Sequence, residues 1–161
     1  MTGESVGATG IPFMKATAKP YVLEAGQGVP GFGAGIKASV GSTAGGFTLM
    51  ESTTAGGAPW HVHTREDEYF YVLDGKIVVW CGEDEFHAGP GSFVFLPRGV
   101  PHSWDVESEG KAKLLMMTAP AMLEEFLREF HVAQGSQRDK VAAKYGLTFF
   151  PSRPSWLFKH E

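Results

Sequence analysis

Between residues 47 and 118, glycine and proline cut the chain into short runs rich in valine, phenylalanine, tyrosine and tryptophan. Such runs are too short for ordinary helices and recur at the spacing of an all-β sandwich or barrel. Candidate strands cover 21–23, 36–40, 47–53, 60–63, 68–73, 76–81, 92–97, 102–106 and 112–118. Asp74-Gly75 lies between two of them and is the strongest hairpin signal in the chain, since a type I′ turn needs positive φ at both central residues. It predicts that 68–73 and 76–81 pair antiparallel. GEDE (82–85) and AGPG (88–91) read as further turns.

The pattern changes after Thr118. Pro120 suits a first helical turn, and Met122, Leu123, Phe126, Leu127 and Phe130 fall on one side of the helix that follows. Glu124, Glu125, Arg128 and Glu129 fall mostly on the other. A second short helix is predicted over 139–145, with Gly146 as its stop. At 161 residues one core suffices. The expected division is a flexible arm over 1–18, a β-barrel over 19–118, and a helical segment and tail over 119–161. The tail is aromatic and Pro-rich, and either packs across the barrel or meets a second subunit.

Charge and cysteine usage narrow the chemistry. A net charge of -4 without a basic stripe argues against nucleic acid, because phosphate binding needs clustered Lys and Arg. No apolar run approaches the ~20 residues of a membrane span, and the opening MTGESVGATG lacks a signal-peptide layout. A soluble, cytoplasmic protein with no membrane partner is expected. Cys81 is the single cysteine, so any metal site must be built from histidine and carboxylate. Cys81 itself, inside KIVVWC, reads as a small buried hydrophobe.

WHVHTREDEYFYVLDG (60–75) supplies that site. Side chains alternate along a strand, so His61 and His63 share one face while Trp60 and Val62 take the other. Thr64 to Asp67 form the turn, which places Glu68 at the start of a strand running back beside the histidines. GSFVFLPRGVPHSW (91–104) brings His102 to the head of another strand. Three imidazoles and one carboxylate suit one divalent transition metal (Fe, Mn, Ni, Co or Zn), with two positions open if the geometry is octahedral.

Other polar residues receive plainer readings. Glu66 and Asp67 are expected to be solvated turn acids, and His87, His131 and His160 lack a partner at ligand spacing. Arg98 either attracts an anionic group at the barrel mouth or is a solvated surface residue. Phe70 and Val72 share a face with Glu68, and Trp104 and Val106 with His102; these four either line a substrate pocket beside the metal or fill the core.

His61-x-His63, four residues and Glu68, six more and Gly75, then Gly91, five residues, Pro97-x-Gly99, two residues and His102 resemble the two motifs of metal-binding cupins. The motifs depart at two non-ligand positions: the usual opening glycine falls at Gly56, and Val106 stands where asparagine often ends the second motif. The resemblance runs through about residues 40–118 and is greatest to single-domain bacterial cupins related to quercetin dioxygenases. It implies an antiparallel jelly-roll β-barrel with one or two short C-terminal helices. The implied activity is that of a dioxygenase for a small phenolic or enolisable, flavonol-like substrate bound to the metal through a hydroxyl. Glu68 is then a ligand, a catalytic base, or both. The alternatives are a non-redox isomerase or cyclase on the same metal, and a non-catalytic small-molecule binding protein. An unpaired sheet edge and the apolar tail add the expectation of a homodimer.

Overall fold

A computed structural model describes residues 18–31 and 34–158, so the arm expected over 1–18 lies, except for Ala18, outside the described residues. The strands are β1 (Val29–Gly31), β2 (Ala34–Ala38), β3 (Thr48–Thr54), β4 (Ala58–His63), β5 (Asp67–Asp74), β6 (Ile77–Cys81), β7 (Asp84–Ala88), β8 (Phe93–Leu96), β9 (His102–Val106) and β10 (Ala112–Ala119). Helices α1 (Leu123–Val132) and α2 (Ser136–Tyr145) follow, then β11 (Leu147–Phe149) and a 3-10 turn at Ser155–Phe158. Every strand pairing is antiparallel. One sheet has the order β1-β2-β3-β10-β5-β8 and the other β11-β4-β9-β6-β7, so from β3 to β10 the chain crosses repeatedly between two facing layers as a jelly roll does.

Period-two alternation builds the core. Phe70 and Val72 point inward from β5, Ile77 and Val79 from β6, Val94 and Leu96 from β8, and Leu114 from β10. Each such fully buried side chain is worth about 1.5–3 kcal/mol. Cys81 joins this core, and burial, helped by the Asp84 charge, pushes its thiol up to about 11, so it stays protonated and apolar. A second cluster, with Ile36, Met50, Leu123, Phe126, Tyr145 and Leu147, joins the two helices to the barrel.

The Asp74-Gly75 expectation is corrected. Gly75 does adopt positive φ (75°), but β5 and β6 belong to different sheets and do not pair. Both edges of β5 are already taken by β10 and β8, and both edges of β6 by β9 and β7, so the turn is an arch between layers. The tight hairpin is β6–β7 instead, with Cys81 opposite Asp84 and Gly82 at positive φ (58°) in its two-residue loop. Strand β7 escaped prediction because four of its five residues are exposed and show no alternation. Residues 21–23 are not a strand; Tyr21 instead hydrogen-bonds through its hydroxyl to the Lys37 carbonyl.

Pro120 stands before α1 and not in its first turn. Residues just ahead of the helix are pinned to the β2–β3 connection, Ala121 N–H donating to the Gly45 carbonyl and Met122 N–H to Thr48 Oγ1. Glu124, placed by its helical spacing on the polar side, is buried and accepts from Val40 N–H and the Thr48 hydroxyl. Gly146 does end α2, at φ 77°. The chain then adds β11 to β4, pairing Phe149 with His61.

Gly57 marks the closest backbone approach near the site: a Cβ there would lie 1.7 Å from the Trp104 carbonyl oxygen. Gly57→Ala must separate β4 from β9, and we expect at least the ~1–3 kcal/mol loss typical of overpacking. Urea unfolding of the purified variant measures it; an unchanged midpoint would show that this contact is not tight.

Candidate metal centre

The site forms where the sheets converge. His61 and His63 project from β4, and His102 sits opposite His61 on the adjacent β9. Glu68 comes from β5 in the other sheet, so it reaches the imidazoles across the barrel interior and not along a shared ladder. All four are buried, and one donor atom from each lies within 4.8 Å of the others. Glu68 Oε2 is 3.1 Å from His102 Nε2, 3.8 Å from His63 Nε2 and 4.0 Å from His61 Nε2.

The opposite nitrogen of each ring has its own acceptor. His61 Nδ1 lies 2.7 Å from the Pro59 carbonyl, His102 Nδ1 3.0 Å from the Val100 carbonyl, and His63 Nδ1 2.7 Å from Glu66 Oε1. The outward Nδ1 contact turns each Nε2 toward the common centre, the orientation a metal ligand needs; at His102 that nitrogen is also 3.1 Å from Glu68 Oε2. His63 Nε2 is buried with no hydrogen-bond partner in the protein. An orphaned buried acceptor is costly, and a cation at the centre of this donor set would satisfy it. The 3.1 Å gap between His102 Nε2 and Glu68 Oε2 also suits neighbouring donors on one ion, each about 2.0–2.2 Å from it.

Electrostatics shift the groups of the cluster in different directions. Burial, reinforced by the charge of His102, pushes His61 down to about 4, so its ring is neutral at pH 7. Burial opposes ionisation of Glu68, but the His102 hydrogen bond and the neighbouring imidazoles outweigh it and hold the carboxyl at about 2. His63 moves upward: burial disfavours its charge, and the Glu66 hydrogen bond with the Glu68 and Glu66 charges more than compensates.

Two expectations about the turn acids are corrected. Glu66 is 1% exposed and bonded to His63, while Asp67 pairs with Arg98 through Oδ1 to Nε (3.0 Å) and Oδ2 to Nη2 (2.8 Å). Residues on both flanks occupy the outer side of the turn. Thr64 N–H donates to the Gly146 carbonyl, Gly99 N–H to the His63 carbonyl, and Arg98 Nη1 to the Arg65 carbonyl. Glu66 is thereby turned inward, and the anion Arg98 meets is the chain's own. A His-x-x-Glu spacing across the turn was the available signal for this contact.

Above the cluster lies a cavity of about 310 Å³, bounded by Met50 and Ser52 of β3, Met116 of β10, Phe126 and Phe130 of α1, and Phe149 of β11. Of the four pocket candidates, Trp104 is on its wall. Phe70 and Val72 lie in the core, with half-buried Val106 packed against it. Phe149 was not singled out from sequence; its ring centroid is 5.7 Å from that of His61 because β11 pairs with β4. His87 is exposed between Glu85 and Glu107, away from the cluster.

A jelly roll carrying a buried three-histidine, one-carboxylate cluster inside its barrel defines a cupin-type site. The cupin domain model matches residues 48–118, the stretch that holds all four residues. The chain is a member of the cupin superfamily. It is 31% identical over 117 residues to quercetin 2,3-dioxygenase of Bacillus subtilis (strain 168), covering 69% of this chain and 34% of that protein. It is 26% identical over 82 residues to the tetracenomycin polyketide synthase protein TcmJ of Streptomyces glaucescens, covering 51% of this chain and 55% of that one. The chain thus spans about a third and about half of these relatives. Among solved structures, a PAC13 variant from Streptomyces with uridine shares the fold, with a TM-score of 0.52 and 15% identity over 84% of this chain and 92% of that chain. No helix among the described residues is long and apolar enough to cross a membrane.

Two outcomes follow from the geometry. His61→Ala, His63→Ala and His102→Ala should each strip most of the divalent metal from the purified protein in elemental analysis; full retention in all three would dismiss the cluster as a metal centre. Asp67, held at about 2 by the hydrogen bond to Arg98, stabilises the fold above its ordinary value of 3.8, and that gain is lost as pH falls through about 2. Asp67→Asn should therefore be less stable than the parent at pH 7, with the difference closing between about pH 4 and pH 2 in chemical unfolding.

Proposed function

We propose that the chain is a metal-dependent oxygenase that holds one divalent first-row metal through His61, His63, Glu68 and His102 and acts on a small phenolic or enolisable compound. The observation that carries this reading is the cavity of about 310 Å³ opening onto the cluster, whose walls are mainly aromatic and aliphatic, with Ser52 and Thr54, and include no lysine or arginine among the described residues. Apart from the metal itself, the walls offer a substrate's carboxylate or phosphate no countercharge. An uncharged ring with one ionisable hydroxyl fits, and the cavity lies at the lower end of the ~300–1,000 Å³ common for small-molecule sites. The likeness to quercetin 2,3-dioxygenase supports the same substrate chemistry.

A metal bound here supplies Lewis acidity that lowers the pKa of a coordinated hydroxyl and, if redox-active, a route for electrons between substrate and dioxygen. The chain's own residues do the rest. Glu68 lines the cavity as a carboxylate and takes the hydroxyl proton; held at about 2 it is a weak base, so the transfer depends on a metal lowering the hydroxyl's own pKa. Phe126, Phe130 and Phe149, whose centroids lie 4.9–6.4 Å apart, form an aromatic part of the cavity wall that disfavours water and offers flat surfaces to a ring. Likeness to a polyketide synthase protein supports a second reading, a non-redox cyclase or isomerase using the same base and the same apolar walls.

An oxygen electrode separates these readings. Protein reconstituted in turn with Fe, Mn, Ni and Co, with the redox-inert Zn form as control, should consume dioxygen with a phenolic or 1,3-dicarbonyl compound, and Glu68→Gln should slow that turnover about 10²–10⁴-fold while most of the metal is retained. Turnover that persists under nitrogen favours the second reading. Metal that alters only thermal stability, with no turnover of any compound, leaves a binding protein and overturns both.

A further inference from the structure

The three imidazoles are anchored by two different kinds of acceptor. His61 and His102 donate from Nδ1 to main-chain carbonyls, those of Pro59 and Val100. His63 donates to a side-chain carboxylate, Glu66 Oε1, at 2.7 Å. Glu66 is 1% exposed and His63 is 2% exposed, so the contact is shielded from water. The second carboxylate oxygen, Glu66 Oε2, is buried without a hydrogen-bond partner. A carboxylate held in this state is costly unless positive charge lies nearby. Glu66 and Glu68 together bring two buried negative charges to the cluster, and a divalent cation matches them.

We propose that Glu66 is a positioning residue of the metal centre: it fixes the His63 ring with Nε2 toward the ion and, as an anion on Nδ1–H, makes that Nε2 a stronger donor than the other two imidazoles. The chemistry is that of a carboxylate–histidine–metal relay, in which the carboxylate acts on the metal only through the ring. Backbone carbonyls cannot be altered by substitution, whereas Glu66 can, so His63 is the ligand through which sequence change at a non-ligand position tunes metal affinity. Burial of Glu66 is set by the turn itself, clamped by Gly146, Gly99 and Arg98.

The inference rests on the reading of the cluster as a metal centre, and the test separates the two. Parent protein, Glu66→Gln and Glu66→Ala are stripped with chelator, and Co²⁺ affinity is measured by chelator competition together with the visible spectrum at saturating Co²⁺. Loss of an outer-shell partner typically costs ~10–100-fold in metal affinity. Glu66→Ala should lose that much, and Glu66→Gln, which keeps an acceptor oxygen without the charge, should fall between it and the parent. The saturated spectrum should shift in Glu66→Ala, a change that loss of packing alone leaves untouched. Parent-like affinity and spectrum in Glu66→Gln overturn the proposal even if Glu66→Ala does not fold. Absence of Co²⁺ binding by the parent itself overturns the metal reading, and this inference with it.

Discussion

Glu68 meets His102 at 3.1 Å across the interior of the barrel, and much of the architecture serves to make that contact tolerable. A carboxylate buried among imidazoles costs several kcal/mol unless its charge is answered. Here the answer comes from the facing sheet, which confines the cluster to the place where the layers converge. The strands that carry the ligands are paired on both sides at these positions: β5 lies between β10 and β8, β4 between β11 and β9, and β9 between β4 and β6. Ladder bonds on both sides hold the backbones rigid, so the donors are organised before any ion arrives.

The ligands were legible in the sequence because their signal is local. His61 and His63 share a face by strand period alone, and the short turn keeps Glu68 close to them, although it crosses to the facing sheet and does not run back beside β4 as expected. The partner of β5 was not legible, because a turn sequence such as Asp74-Gly75 encodes positive φ and says nothing about which layer the next strand joins. Phe70, Val72, Ile77 and Val79 alternate as they should in a hairpin, yet the same alternation faces a common core from opposite sheets. Local pattern is equal in the two topologies; the difference lies in the long-range pairing of β10 with β5 and of β9 with β6.

Glu66 shows a different limit. An acid in a polar turn is normally solvated, and apart from its i,i+3 spacing from His63 nothing in Thr-Arg-Glu-Asp marks the third residue for burial. It is enclosed because Gly146, 80 residues on, and Gly99 lay their backbone groups against the turn. Gly146 tolerates this at φ 77°, where a Cβ would sit 2.6 Å from Thr64 Oγ1. The stop signal of α2, read as a helix terminator, is thus also a spacer that lets the helix end approach the metal turn. Two roles at one glycine explain how the helical segment acts on a site to which it contributes no ligand.

The cluster stands wholly on barrel strands, whereas its cavity wall is shared between those strands and the segment that follows them. His61, His63, Glu68 and His102 stand on barrel strands, whereas Phe126, Phe130 and Phe149 come from α1 and β11 after the barrel is complete. The helical wall has its own hydrophobic cluster and is tied to the barrel at discrete points, through Glu124 to Thr48 and Val40 and through β11 to β4. Substitutions on α1 can therefore reshape the space above the metal without moving the donors beneath it. Barrel residues supply the candidate ligands and part of the cavity wall, including Met50, Ser52, Trp104 and Met116; the segment after residue 120 adds Leu123, Phe126, Phe130 and Phe149, so both parts of the chain set the shape of the space above the cluster.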